Sequence, residues 1–252
     1  MKKVLVIGDS CSDVFRYGRC DRLSPEAPVP IIKPTRTTGN GGMAINVYEN
    51  LKSLGIDADI LTNDIRPVKT RYVDEVSNQI LLRVDENDII KQIQSSEIDK
   101  IDFSQYCAVI ISDYNKGYLS QVDIGHIAHL HPLVFMDTKK KLNTWAHGIE
   151  IIKLNEKEFN ENNDWIYTNR NKINSIMTRG KHGAVLNFYD EFPIEKEHEV
   201  RDLSGAGDTF LAALVADYIK NSDIRSAIRF ANRCAAWVVT QKGVAIVDPE
   251  KI

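Results

Sequence analysis

The stretch Asp202-Leu203-Ser204-Gly205-Ala206-Gly207-Asp208-Thr209 constrains this chain more than any other, because a loop must end there and a buried helix begin. Phe210, Leu211, Leu214, Val215, Tyr218 and Ile219 follow it at helical spacing on one broad face. The Gly-Ala-Gly turn lets the backbone bend tightly and leaves the first amide N–H groups of that helix bare. With the positive end of the helix dipole, those amides make a seat for an anion. A carboxylate in such a seat is out of place electrostatically unless it handles a proton beside a phosphate. Asp208 is therefore the candidate catalytic base, and Gly205, Ala206 and Gly207 form the candidate anion hole. A glycine turn before an N-capped helix accounts for Ser204 and both glycines equally well.

The rest of the chain has the pattern of an α/β enzyme. Lys3–Gly8 is a continuous apolar run, as strands buried on both faces of a parallel sheet are. Similar short strands are expected at Cys107–Ser112, Leu133–Asp137, Ile149–Lys153, Ile173–Thr178 and Ala184–Tyr189, with helices near Ser120–Leu130 and Ser226–Thr240. Ser10-Cys11-Ser12-Asp13 reads as a loop at the carboxyl end of the first strand, where such sheets place ligands, so Asp13 is a candidate for binding a polyol. Arg22–Ile32, with three prolines in close succession, reads as a loop running into an edge strand. Gly39-Asn40-Gly41-Gly42 precedes a helix reaching about Leu54-Gly55; Gly42 permits close approach to a ligand, and Asn46 offers both a donor and an acceptor. Val68–Val76 and Asn78–Val84 alternate as a hairpin with its turn near Ser77-Asn78. Lys69 and Arg71 could bind a substrate phosphate, whereas alternating charge on an exposed strand explains the same residues. Asn155 and Glu158 stand three apart at a helix start, as hard-cation ligands or as a capping box.

Composition excludes several classes. A net charge of −3 at 252 residues offers no nucleic-acid or membrane-surface patch, and 43% hydrophobic with 27% charged residues is ordinary for a folded enzyme. The opening Met-Lys-Lys-Val-Leu-Val-Ile-Gly-Asp is too short an apolar run for a signal peptide, and no stretch reaches membrane-helix length, so a cytoplasmic protein is expected. Cys11, Cys20, Cys107 and Cys234 are too widely spaced for a zinc site. His126, His129 and His131 read as a solvated histidine face.

Val200–Thr209 closely resembles the C-terminal signature of the ribokinase-like, or PfkB, carbohydrate kinases. The run Leu23-Ser24-Pro25-Glu26-Ala27-Pro28-Val29-Pro30, the Gly41–Val47 segment and Ser112-Asp113-Tyr114-Asn115-Lys116-Gly117 are similar to one branch, the bacterial heptose-7-phosphate kinases. The resemblance implies a ribokinase-like three-layer α/β/α sandwich over residues 1–252, with a small β lid from about residues 28–34 and 68–85. It implies ATP as donor, Mg²⁺ held through water by Glu158 of the Asn155–Glu158 motif, and a lid that often forms a homodimer. Thr178, Gly180 and Gly183 would lie at the nucleotide phosphates, Asn232 beside the adenine, and Asp202 and Ser204 at a monovalent cation such as K⁺.

The expected reaction is ATP-dependent phosphorylation of a sugar, with O1 of D-glycero-D-manno-heptose 7-phosphate favoured, another sugar or nucleoside second, and a non-catalytic binding or scaffold protein third. Departures from the family are Leu154 in place of proline, a direct passage from Leu61 through Pro67 to the lid strands, and a lean stretch between Glu158 and Ile173. No HxGH adenylyltransferase motif occurs.

Overall fold

Val4 and Val6 pack into one hydrophobic cluster while Leu5 and Ile7 pack into another, so the first strand is covered on both faces. That alternation requires a sheet with a layer of helices on each side. In the computed structural model, which describes residues 2–195 and 199–252, this is the arrangement found. In chain order the first strands are β1 (Lys3–Gly8), β2 (Ser10–Leu23), β3 (Pro30–Met43), β4 (Ala58–Thr62), β5 (Val68–Asp74) and β6 (Ile80–Glu86). They are followed by β7 (Tyr106–Asp113), β8 (Val134–Thr138), β9 (Ile151–Asn155), β10 (Asn174–Thr178), β11 (Ala184–Leu186) and β12 (Asp190–Phe192). The helices are α1 (Ala44–Ser53), α2 (Ser95–Ile98), α3 (Gln121–Leu130), α4 (Glu156–Glu161), α5 (Asn163–Asn169), α6 (Ala206–Asn221) and α7 (Ile224–Val238).

The large sheet has the order β12-β11-β10-β9-β8-β7-β1-β4. It is parallel from β4 to β10 and antiparallel through β11 and β12. Helices α1, α6 and α7 cover one face around Phe135, and α3 with the shorter α4 and α5 covers the other around Met136. The expected three-layer α/β/α sandwich of ribokinase type is therefore present. No helix among the described residues is long and apolar enough to cross a membrane.

The second sheet, in the order β3-β2-β5-β6, forms the lid and is larger than expected. Ser10–Asp13, read as a loop, opens the 14-residue strand β2. The glycine run Gly39–Gly42, read only as preceding a helix, closes β3 and pairs in register with Cys11–Val14. The start of β3 was expected, but its continuation and the whole of β2 were hidden because the lid is half-exposed and its residues are polar, so the apolar run that marks a buried strand is missing. Pro30 and Pro34 sit on β3 at the lid's edge, where a missing N–H breaks no inner ladder. The expected strand Ala184–Tyr189 ends at Leu186, because Asn187 and Phe188 take positive φ and turn the chain back into β12. The lean segment after Glu158 holds the short helices α4 and α5. The chain passes from β4 to β5 through residues 63–67, which leaves β4 at the edge of the large sheet.

Phe135 is fully buried and meets Tyr218 of α6 edge-on at 5.5 Å, so it ties the sheet to the helix that carries Asp208. Phe135→Ala is expected to cost about 3–5 kcal/mol in urea unfolding. A loss under about 1 kcal/mol would mean that this contact does not hold the layers together.

Candidate active site

At the start of α6, Gly205 has φ 82°, and a Cβ there would lie 2.6 Å from Asn46 Nδ2 and 2.8 Å from Val244. Only glycine fits that turn and that approach. The first helical hydrogen bond runs from Thr209 N–H to Gly205 O at 2.9 Å, so the amides of Gly207 and Asp208 precede the ladder. A Cβ on Gly207 would lie 2.9 Å from Lys153 Nζ, which puts a buried ammonium beside the glycine turn.

Lys153 was read only as the end of a strand, yet it pairs with buried Asp137 at 2.5 Å and belongs to the site. A lone lysine within the apolar β9 run Ile151–Leu154 was the available signal. Burial works to raise the Asp137 pKa, but the ammonium groups of Lys153 and Lys139 outweigh it and hold the carboxyl below its ordinary value. Asp137 Oδ1 is buried with no hydrogen-bond partner among the described residues.

Asp208 itself is 4% exposed. Its Oδ1 accepts a hydrogen bond from the Tyr114 hydroxyl at 2.6 Å and its Oδ2 one from Asn46 Nδ2 at 3.2 Å. Asn46 is held in turn by Asn50, whose Nδ2 donates to Asn46 Oδ1 at 3.0 Å. Burial pushes the Asp208 carboxyl up to about 6, although the hydrogen bonds from Tyr114 and Asn46 favour its charged form. That lies above the ordinary aspartate value of about 3.9. Tyr114 had not been assigned a role.

On the lid side, a side chain at Gly42 would collide with the Asp13 carboxylate, so the glycine makes room for a carboxylate rather than for a ligand directly. Asp13 binds Arg71 Nη1 at 2.5 Å, and both side chains are buried. Arg71, expected at a substrate phosphate, is therefore committed to Asp13. Lys69 makes no ion pair among the described residues, and its ammonium lies 5.9 Å from the Tyr114 ring centroid.

On the other side, Asn155 and Glu158 cap α4 reciprocally: Glu158 N–H donates to Asn155 Oδ1 and Asn155 N–H to Glu158 Oε2, both at 2.9 Å. The capping-box reading is realised. Glu158 Oε1 also pairs with Lys139. Thr178 Oγ1 donates to Leu154 O at 3.3 Å, and Gly180 faces open space. Gly183 abuts Phe192 O, and Asn232 Nδ2 donates to the same carbonyl at 2.8 Å, so both bind the chain to β12. Asp202 Oδ1 accepts from Ser204 N–H at 2.8 Å in the loop before α6. The expected solvated histidine face is only partly present: His126 pairs with Asp99, but His131 is buried and bonds Leu133 O.

The pfkB family carbohydrate kinase pattern matches residues 68–251. The chain belongs to that family. It is accordingly a carbohydrate kinase, and the family's phosphoryl donor is ATP, usually with Mg²⁺. Over its whole length the kinase is 31% identical to the bifunctional protein HldE of Helicobacter pylori strain J99, and over 98% of it 30% identical to the HldE of Campylobacter curvus. The chain spans 66% and 63% of the lengths of those relatives. The first alignment runs to 307 positions against 252 residues here, so the relative carries segments that this kinase lacks. Among solved structures, ribokinase from Thermotoga maritima superposes with a TM-score of 0.72 at 17% identity, covering 97% of this chain and 95% of that one. Phosphofructokinase-2 from Escherichia coli, solved in complex with potassium, gives 0.75 at 13%, covering 100% and 98%. These structures share the fold.

A buried carboxyl raised to about 6 binds its proton more tightly folded than unfolded, so between about pH 4 and 6 it withdraws stability as pH rises. Asp208→Asn is therefore expected to be more stable than the parent at pH 7, by up to about 3 kcal/mol, with the difference shrinking as pH falls through 6 toward 4. Chemical denaturation at pH 7.5 and 4.5 checks this, and an equal difference at both values would contradict the burial argument.

Proposed function

We propose that this kinase transfers the γ-phosphoryl group of ATP to O1 of D-glycero-D-manno-heptose 7-phosphate. The observation that carries the reading is the buried Asp208 carboxylate at a glycine-turned helix start, with Lys153 on one side and the lid residues Asp13 and Lys69 on the other. Asp208 faces the point where an acceptor hydroxyl meets the bare amides, so it can orient that hydroxyl and accept its proton. The amides of Gly207 and Asp208, with Lys153, offer positive charge to the transferring group. The likeness of the proline-rich loop to the heptose-7-phosphate kinases and the match to HldE relatives support the choice of sugar. With Arg71 committed to Asp13, Lys69 is the lid cation proposed to meet the sugar's own phosphate.

The donor set fits a hydrated magnesium ion. Glu158, Asn155 and Asp137 Oδ1, which accepts no hydrogen bond among the described residues and lies 3.6 Å from Lys139 Nζ, are hard oxygen ligands, and such an ion would neutralise phosphate charge there. Thr178 and Gly180 are proposed to face the nucleotide phosphates, and Asn232 the base. Asp202, with Oδ1 taken by the Ser204 amide, keeps Oδ2 as a donor for K⁺. Exposed Ile80 and Leu82 on β6, an edge of the lid, support a homodimer through the lid strands.

ADP release with Mg-ATP and the heptose phosphate, against a panel of other sugars, tests the reading. Turnover of the heptose phosphate is expected to fall at least about 10²-fold in Asp208→Asn, with ATP affinity kept. Lys69→Ala is expected to raise KM for the phosphorylated sugar about tenfold or more while leaving ATP affinity unchanged. Turnover of another sugar alone would retire the heptose assignment. Bound ATP with no turnover on any sugar would favour a binding or scaffold role.

A further inference from the structure

We propose that Tyr114 is a positioning residue for phosphoryl transfer, its hydroxyl holding the Asp208 carboxylate in the orientation and charge state that receive the acceptor's proton. The proposal rests on the kinase reading above. Its first support is geometric. The Tyr114 backbone N–H donates to Asp9 Oδ2 at 2.7 Å, and the Asp9 carboxylate also takes the N–H groups of Lys116 at 3.1 Å and Tyr118 at 3.1 Å. The loop after β7 is thereby fixed at three points to the end of β1, and the phenol is delivered to Asp208 from a rigid base. The Lys139 ammonium lies 5.2 Å from the ring centroid and that of Lys69 5.9 Å, so the ring stands between a lid cation and a nucleotide-side cation.

Its second support is chemical. Burial and the neighbouring Asp208 charge push the Tyr114 phenol well above its usual range, so at any working pH it is a neutral donor. Asn46 cannot ionise. Two neutral donors thus hold the two carboxylate oxygens, and each bond favours the ionised form against burial. The other groups facing Asp208 are Asp137 on β8, which disfavours its charge, Lys153 on β9, which favours it, Lys139 after β8, and Cys11 on β2, whose thiol burial raises to about 12 and keeps neutral. In the transfer the acceptor oxygen bonds to the γ-phosphorus as the bond from that phosphorus to the bridging oxygen breaks, releasing ADP. The acceptor's proton passes to Asp208 Oδ2, the oxygen with the longer existing hydrogen bond. Tyr114 exchanges no proton.

Tyr114→Phe keeps the ring and removes the donor. Without it the Asp208 carboxyl should titrate about 0.5–1 pH unit higher, so turnover at pH 5.5 should fall about three- to tenfold relative to the parent and recover part of that loss by pH 8. The first readout is the pH profile of kcat for Mg-ATP with the heptose phosphate, with thermal melting and ATP affinity confirming a folded variant. The second needs no activity: the carboxyl ¹³C titration of Asp208 in aspartate-labelled parent and variant, assigned with Asp208→Asn. An upward move in both supports the proposal. A raised ¹³C midpoint in a protein that turns over no sugar keeps the Tyr114–Asp208 coupling and removes the kinase setting. Turnover with an unmoved acid limb and an unmoved midpoint overturns the proposal, as does a pH-independent loss.

Discussion

The Asp9 carboxylate is the contact on which the rest of the molecule depends. It stands at the one residue between β1 of the large sheet and β2 of the lid, is almost wholly buried, and has no ion-pair partner among the described residues. Three backbone N–H groups from the loop after β7 take the place of a counter-ion. Burial raises its pKa and those donors oppose the rise, a balance that a carboxylate can hold only while the loop stays in place. One side chain therefore sets where the lid leaves the body and where Tyr114 stands.

Around it the site follows a simple electrical rule. Asp13 has Arg71, Asp113 has Lys140, Asp137 has Lys153, and Glu158 has Lys139. Each is a buried or half-buried carboxylate neutralised by its own cation, as desolvated charges require. Asp208 departs from the rule, because its two direct partners are a phenol and an amide. Asp9 departs from it too, but burial lifts the Asp208 pKa to about 6, toward the working range proposed for a base, and Asp208 alone of the two stands at the glycine-turned helix start.

Much of this was legible beforehand because buried parallel strands announce themselves as apolar runs. β1, β7, β8, β9 and β10 lie within two residues of their expected bounds, and the Gly205–Asp208 turn stands where its glycines placed it. The lid was legible only in part. β2 carries Arg16, Gly18, Arg19 and Asp21 with no apolar rhythm, and its pairing with β3 becomes apparent only across the fold. Long-range charge pairing was equally hidden. Nothing near Arg71 in the sequence says that Asp13, 58 positions away, will claim it, and nothing near Tyr114 points to Asp208. Such partners are chosen by topology.

The residues of α6 from Asp208 to Ala216 are all buried, an unbroken core segment that begins with the Asp208 carboxylate. A helix so enclosed cannot open by itself. Its amides should exchange with solvent only when the whole domain unfolds, whereas the lid strands, half in water, open far more readily. Asp208 is thus anchored in the slowest-opening part of the molecule and Lys69 in a faster one. Heat should consequently loosen the lid strands before it disturbs the surroundings of Asp208.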